Sequence, residues 1–307
     1  LDAFLDANPR YREENMESWE GLERMAEGYF RWTDDMTPET DGDGSPFIGV
    51  DNLANYFVAM NHAMGSDIYH YDENGVVVPD LDRDIIERLF LNYYQPFTKG
   101  YYGAKGRYRS DDVKQSYLAG CIGSSSSVLY FPEEVADSEG NMVPVTTGVY
   151  QYPVMEGTTP TAIQQGAGVA VFNRSHEENK AALDFIHWLT IDRGFELATS
   201  MSYMPVDNGA MTEEQGRQID DARVLKGIET GLKQSSSYQM VYGFDFENSY
   251  DVRTEVDACF SEALSRGRME FEEYLGQGMS MDEAAASMDY GRKADAFYEQ
   301  VKAIFEE

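Results

Sequence analysis

The stretch of sequence that decides the fold runs from residue 162 to residue 190 and reads AIQQGAGVAVFNRSHEENKAALDFIHWLT. Its apolar run Val169–Phe172 is typical of a buried strand in a parallel sheet. The two glycines before this run allow another chain segment or a ligand to approach the backbone closely. Ser175 and Glu178 have the spacing of a capping box, which predicts the start of a helix. The stretch therefore predicts a strand followed by a helix.

Length and charge limit the classes of protein that the chain can belong to. It has 307 residues, enough for two domains or one large α/β domain. Lys and Arg number 24 against 55 Asp and Glu, and the resulting net charge of −31 would repel nucleic acid and anionic lipid. We therefore expect no nucleic-acid partner. No apolar run approaches the roughly 20 residues that a membrane-spanning helix needs.

Elements outside the opening stretch follow from hydrophobic periodicity and capping residues. Apolar spacing predicts helices at 13–32, 53–64, 84–94 and 251–263, a helix capped by Ser280 with Glu283, and a C-terminal helix that carries Ala294, Phe297, Tyr298, Val301 and Ile304. A short strand is expected before Gly123, and the alternation in GVYQYPVM, residues 148–155, predicts another. The pattern indicates an α/β protein.

Motifs for catalysis and metal binding are incomplete in this sequence. The run Gly-Ser-Ser-Ser-Ser at 123–127 lacks the second glycine of the G-x-S-x-G motif, which disfavours a serine hydrolase. The loop TPETDGDGSPF at 37–47 has Asp41 and Asp43, but Pro46 and Asn52 stand where an EF-hand needs Gly and Glu, so a surface turn is favoured. Four histidines show no metal-ligand spacing, and we expect neither a cofactor nor a metal.

The two cysteines are far apart, at 121 and 259, and we expect two buried free thiols, with a disulfide as the alternative.

Tyrosines are numerous, 21 in all, and often stand beside an amide or a carboxylate. Examples are Asn55-Tyr56 and Tyr150-Gln151-Tyr152. Aromatic faces that cover C–H surfaces, with polar groups that bond hydroxyls, are the chemistry of a sugar-binding cleft. The alternative is that most of these tyrosines pack in the core or at its rim.

The order of several segments resembles the extracellular solute-binding proteins of ABC importers, the family-1 type that includes maltodextrin binders. The helix SWEGLERMAEGYFRWT resembles the Thr-Trp-x-Glu-Leu helix of that family, and it is followed in the expected order by FIGVDNLANYF, KGYY with GRYRSDD, GSSS with YFP, VYQYPV, QQGAG and SYMPV. The resemblance covers nearly the whole chain and is greatest to a Gram-positive branch. The order of the segments is specific, although no single motif is.

The resemblance implies a two-lobe periplasmic-binding-protein-like fold of type II, in which the ligand lies between the lobes. Residues 1–160 and 206–307 would form the second, C-terminal lobe, and 161–205 would belong to the first, N-terminal lobe. Members of the family normally begin with about 100 further residues of strand and helix units, given ordinary domain sizes. We therefore expect most of the first lobe, and the lipoprotein signal, to be absent from this sequence.

The function implied by the resemblance is capture of a small solute, expected to be a carbohydrate, for delivery to a membrane permease. It implies a monomeric, non-enzymatic protein outside the cell, a cell-surface lipoprotein whose anchor is not in this sequence. Two alternatives stay open: a carbohydrate-active hydrolase that uses paired carboxylates, and a module for protein–protein interaction only.

The resemblance also places the ligand contacts. They are expected at Asp51, Asn52 and Asn55, at Ser124, Ser125 and Ser126, at Gln164, Gln165 and Tyr203, and at Asp245, Phe246 and Tyr250. The serines could also receive an anionic group, which leaves a phosphorylated or acidic solute as an alternative. They could equally form only the N-cap of a helix.

Overall fold

The structure is a computed structural model that describes residues 1–37, 39–40, 42–136, 140–204 and 211–306. The helices, in chain order, are α1 (Asp2–Ala7), α2 (Trp19–Asp34), α3 (Leu53–Ala63), α4 (Arg83–Thr98), α5 (Arg109–Lys114), α6 (His176–His187), α7 (Gly194–Met201), α8 (Glu213–Gly216), α9 (Ala222–Ser237), α10 (Ser249–Gly276), α11 (Met281–Ser287) and α12 (Tyr290–Glu306). The strands are β1 (Ile48–Val50), β2 (Ile68–Tyr71), β3 (Val77–Asp80), β4 (Gly120–Ile122), β5 (Glu134–Ala136), β6 (Met142–Pro144), β7 (Thr161–Ile163) and β8 (Gln239–Val241).

The chain divides into two compact units. Unit 1 comprises residues 1–123, 152–164 and 238–307, and unit 2 comprises residues 124–151 and 165–237. The lobes predicted from the resemblance divide the chain at other points, and that assignment stays a prediction. Its boundary between 205 and 206 lies outside the described residues.

Short parallel strands lie in unit 1. Strand β1 pairs with β4, with Val50 opposite Ile122, and β7 pairs in parallel with β8. All of β1 is buried, as expected for a strand with both faces covered. A Cβ atom at Gly49 would lie 2.2 Å from the carbonyl oxygen of Gly103, so only glycine allows the backbones to come this close. Strands β2 and β3 form an antiparallel hairpin.

Helices of unit 1 bury a core rich in aromatic rings. The rings of Phe90 and Phe297 stack at 4.3 Å between centroids, and Phe260 meets Phe297 at 4.7 Å. All three side chains are fully buried, as is Trp19 at the start of α2. The helix prediction for 13–32 is confirmed for α2, whose N-cap Ser18 accepts a hydrogen bond from the Gly21 amide at 3.1 Å. A 3₁₀ turn at Glu13–Glu17 precedes it.

The helices predicted at 53–64, at 84–94 and at the C-terminus are confirmed as α3, α4 and α12. Helix α10 is longer than the predicted 251–263 and passes through Gly267. A Cβ atom there would lie 2.2 Å from the Tyr94 hydroxyl, so the glycine permits close packing of α10 on α4. Tertiary contact overrides the low helix propensity of glycine at this position.

Unit 2 confirms the predicted helix of the opening stretch and corrects the predicted strand. The Glu178 amide donates to Ser175 Oγ at 3.3 Å, and the Glu178 carboxylate accepts from the Ser175 amide, so the capping box starts α6 as expected. Val169–Phe172, however, forms no strand, and the side chains of Val169 and Phe172 are 63% and 83% exposed. Within the described residues no other segment pairs with this run, and without a partner its apolar pattern cannot produce a sheet strand.

The strand predicted at 148–155 is also wrong. Only Val154 makes a bridge, to Ser18, through one hydrogen bond from the Trp19 amide at 3.1 Å and one to the Glu17 carbonyl at 2.9 Å. Upstream, the Tyr152 carbonyl accepts from the Tyr238 hydroxyl at 2.8 Å. A side chain thus satisfies a backbone group that a strand would pair with another strand.

Other local predictions have clear outcomes. Cys121 and Cys259 are free thiols, as expected, but both are half-buried. Burial raises the pKa of Cys121 to about 12 and that of Cys259 to about 11, which keeps both thiols protonated at neutral pH. In the loop 37–47, the Asp43 carboxylate accepts from the Thr37 hydroxyl at 2.6 Å, whereas Asp41 lies outside the described residues. Across the described ranges, we find no helix with the length and apolar character that spanning a membrane requires.

Candidate functional site

Asp51 lies at the carboxyl end of β1. Its amide donates to the Ile122 carbonyl at 2.9 Å, and its carboxylate accepts from the Arg109 amide at 2.7 Å. Burial raises the pKa of the Asp51 carboxyl, and the hydrogen bond and charge of Arg109 oppose this effect. The Arg109 guanidinium in turn forms a buried ion pair with Asp112, with Nη1 and Oδ2 at 2.9 Å. The carboxylate predicted to touch the solute is therefore anchored to the N-terminal end of α5.

Asn52 and Asn55 lie at the first turn of α3, next to Asp51. Asn52 caps the helix, because its Oδ1 accepts from the Asn55 amide at 2.7 Å. The Asp257 carboxylate of α10 accepts from the amides of Leu53 and Ala54 at 2.7 and 3.2 Å. These bonds occupy the free amides of the helix start. Asn55 Oδ1 accepts from Arg253 Nη2 at 3.2 Å. The structure thus brings Asp51, Asn52 and Asn55 together at the start of α3, and whether they contact a solute stays a prediction.

Asp245 and Phe246 lie between β8 and α10, and Tyr250 is in the first turn of α10. The Asp245 carboxylate is exposed, and its Oδ1 accepts from the hydroxyls of Tyr69 and Tyr71 at 2.6 and 3.0 Å. These two hydrogen bonds lower the pKa of Asp245. The ring of Phe246 meets that of Tyr69 edge-on at 4.9 Å, and Tyr250 is 75% exposed.

The glutamines lie at the junction of the two units in the sequence. Gln164 is the last residue of its segment in unit 1, and its amide donates to the Val241 carbonyl at 2.7 Å. Gln165 is the first residue of its segment in unit 2, and both side chains are exposed. Tyr203, also in unit 2, is 39% exposed and follows α7.

The serines belong to unit 2 and form the N-terminal end of a 3₁₀ turn, Ser125–Tyr130. Ser124 is the N-cap and accepts from the Ser126 amide at 3.4 Å, and its carbonyl accepts from the Ser127 hydroxyl at 2.6 Å. The capping role that the sequence left open is therefore present. Whether these hydroxyls bind a solute stays a prediction.

Four residues of unit 1 that hold the predicted contacts were not anticipated from the sequence. Tyr69 and Tyr71 bind Asp245, Arg253 binds Asn55, and Asp257 binds the start of α3. Arg253 and Asp257 are four residues apart on α10, a spacing that puts both on one helix face. The shared helix face of Arg253 and Asp257 was predictable from their spacing. No local sequence signal predicts the contact between residues 69 and 245, which are 176 positions apart.

Unit 2 also contains an apolar groove of about 290 Å³. It is lined by Val169–Phe172 and by side chains of α6, including Phe185 and Ile186. None of the residues predicted to contact the solute lines it.

The chain resembles known proteins in its three-dimensional structure. No protein-family model matches the sequence, and no curated protein matches it. Among solved structures, the chain superposes on the cyclic alpha-maltosyl-1,6-maltose binding protein from Arthrobacter globiformis with a TM-score of 0.55 at 16% identity, over 94% of this chain and 64% of that one. The chain also superposes on UgpB from Mycobacterium tuberculosis, in complex with glycerophosphocholine, with a TM-score of 0.55 at 16% identity. That match covers 94% of this chain and 63% of UgpB.

A third structure, an extracellular solute-binding protein of family 1 from Alicyclobacillus acidocaldarius, gives a TM-score of 0.55 at 9% identity, over 94% of this chain and 65% of that chain. The chain has the solute-binding-protein fold. This confirms the predicted fold class. The chain spans slightly less than two thirds of the length of these solved proteins. Asp51, Asn52, Asn55 and Asp245 all lie in unit 1, and their contact with a solute stays a prediction.

Proposed function

We propose that this chain is the solute-binding component of an ABC importer, which captures a small solute, a carbohydrate, and delivers it to a membrane permease. The observation that carries the proposal is the fold match over 94% of the chain to solved solute-binding proteins. The proposed protein performs no chemistry on its ligand, acts outside the cell as a surface lipoprotein, and works as a monomer.

Carbohydrate is proposed because the predicted contact residues suit polyhydroxylated ligands. Amide and carboxylate oxygens at Asp51, Asn55 and Asp245 can accept hydrogen bonds from hydroxyls, and exposed rings such as Tyr250 can cover C–H faces. One structural neighbour is described as a binding protein for a cyclic maltosyl-maltose. The other named neighbour holds glycerophosphocholine, so a phosphorylated solute is the alternative that the experiment must separate.

The test is a thermal-shift screen of the 307-residue chain, followed by calorimetry on each hit. The panel contains maltose, maltotriose, cyclic oligosaccharides, glycerophosphocholine, polyamines and phosphate esters. A ligand that binds only the folded state raises the melting temperature by mass action. A shift with an oligosaccharide supports the proposal, and a shift only with phosphate esters replaces carbohydrate by a phosphorylated solute.

Incubation with a labelled oligosaccharide separates capture from catalysis. Recovery of the unchanged sugar in the bound fraction supports a carrier. Formation of shorter products supports the carbohydrate-active hydrolase instead. A chain that shifts with no member of the panel contradicts the proposed function.

A further inference from the structure

Two tyrosines of the β2–β3 hairpin converge on one carboxylate oxygen. Tyr69 and Tyr71 are two positions apart on β2, so their side chains leave the same face of the strand, and their rings meet edge-on at 6.0 Å. Both hydroxyls donate to Oδ1 of Asp245, at 2.6 and 3.0 Å. Asp245 is 176 and 174 positions away in the sequence. Two donors on one oxygen fix the carboxylate plane.

The second carboxylate oxygen of Asp245, Oδ2, can accept a hydrogen bond from a ligand. An ionised carboxylate offers about four lone-pair positions on two oxygens. Both phenol hydrogen bonds go to Oδ1, and among the described residues no other side chain donates to this carboxylate. The residue is exposed, so Oδ2 is accessible to a ligand.

Packing behind the carboxylate keeps the arrangement rigid. The Tyr69 ring lies edge-on to Phe246 at 4.9 Å and to Phe244 at 6.2 Å. Phe244 in turn meets Phe305 of α12 at 5.3 Å. The loop that carries Asp245 is thus fixed on both sides of this residue.

The backbone at the start of β2 is strained. Ile68 is 1% exposed and has φ of 72°, a conformation that is a clear outlier for a β-branched residue. Such strain costs of order 1–3 kcal/mol and persists only where the surrounding structure enforces it. Burial of Ile68 in the core of unit 1 holds this conformation directly before Tyr69.

We propose that Tyr69 and Tyr71 are positioning residues that hold the Asp245 carboxylate to accept a hydrogen bond from a hydroxyl group of the solute. This inference rests on the proposed function, since it names the residues that prepare one of its predicted contacts. The two phenols are the titratable groups that act on the carboxylate. His70 lies between them in the sequence, on the opposite face of the strand.

The test compares Tyr69→Phe, Tyr71→Phe and the double variant with wild type, and uses the exposed Tyr108→Phe as the matched control. Two quantities are measured: the pKa of Asp245 by carboxyl-carbon NMR without solute, and the affinity for maltotriose and for the best sugar of the panel between pH 7 and pH 3. The hydroxyl hydrogen bonds lower the pKa of Asp245, so the double variant should titrate at higher pH than wild type.

Binding to an ionised acceptor is lost as pH falls through the pKa of Asp245. The double variant should therefore lose sugar affinity at a higher pH than wild type, and at pH 7 it should bind about tenfold more weakly, the equivalent of one net hydrogen bond. A purely structural role would change the affinity or the melting temperature without moving the pH midpoint. Tyr108→Phe should match wild type in both measurements.

Three results would overturn the inference, and they are distinguishable. An unchanged Asp245 pKa in the double variant refutes the positioning role without any solute. A raised pKa with unchanged sugar affinity shows that Asp245 does not contact the solute, while the proposed function stands. Binding of spermidine but of no sugar by wild type replaces the hydroxyl donor by an ammonium group and contradicts the proposed carbohydrate as well.

Discussion

At the residue scale, the buried ion pair of Arg109 and Asp112 holds the start of α5, whose first amide donates to the Asp51 carboxylate. The Asp112 side chain is 1% exposed and also accepts from the amides of Lys105 and Gly106, at 3.1 and 2.7 Å. The Arg109 amide holds the Asp51 carboxylate. A change at Asp112 therefore acts on a predicted solute contact through a single intermediate residue.

We expect Asp112→Ala to lower the free energy of unfolding by about 3–5 kcal/mol, because it leaves the Arg109 guanidinium buried without its counter-charge. The neighbouring Asp111→Ala is the matched control. Its carboxylate is 48% exposed and lies 3.9 Å from Lys114 Nζ, a surface pair worth about 0–1 kcal/mol. Urea denaturation followed by circular dichroism measures both variants. Equal losses would show that burial of the pair does not matter.

At the element scale, Gly267 lies in the interior of α10, where we expect replacement by alanine to have the opposite of its usual effect on stability. Gly→Ala in the middle of a helix normally stabilises it by roughly 1 kcal/mol. At Gly267 the new methyl group would lie 2.2 Å from the Tyr94 hydroxyl, so we expect Gly267→Ala to destabilise the protein by about 1–3 kcal/mol.

Gly276→Ala is the matched control, because it lies on the same helix and its Cβ would meet no atom within 4 Å. It should leave the melting temperature unchanged or raise it slightly. Combining Gly267→Ala with Tyr94→Phe removes the clashing hydroxyl and should restore part of the lost stability. A stabilised Gly267→Ala single variant would mean that α10 and α4 do not pack this closely.

At the scale of the whole molecule, the two units differ in the burial of their apolar side chains. Unit 1 buries large rings, including Phe90, Phe260 and Phe297. In unit 2, by contrast, Phe172, Phe185 and Trp188 are 83%, 57% and 46% exposed. Apolar groups that stay in contact with water contribute little to stability.

Amide hydrogen exchange should reflect this difference. Regions with few buried apolar contacts open at lower free energy than the core. We expect amides at 166–173 to exchange within seconds, whereas those of β1 and β8 should be protected through their ladder hydrogen bonds. Mass spectrometry of peptic peptides measures both in one experiment. Strong protection at 166–173 would show that this run is paired in solution.

Local sequence signals were sufficient for seven helices, α2, α3, α4, α6, α10, α11 and α12, whereas α1, α5, α7, α8 and α9 were not predicted. The capping boxes at Ser175 with Glu178 and at Ser280 with Glu283 are both formed, and Asn52 and Ser18 cap the helices that follow them. In each case the donor and the acceptor lie within three residues, so the sequence alone contains both partners. The order of segments was likewise sufficient to predict the α/β solute-binding fold.

The strand expected before Gly123 is present as β4, but tertiary structure decided which of the other expected strands form and what supports the predicted contacts. Val169–Phe172 has the composition of a strand, yet a strand exists only where another segment accepts its hydrogen bonds, and composition does not specify that segment. Asp245 is held by tyrosines 174 and 176 positions away, and the start of α3 by Asp257 more than 200 positions away. A hydrogen bond depends on distance in space, and over such separations only the folded chain determines that distance.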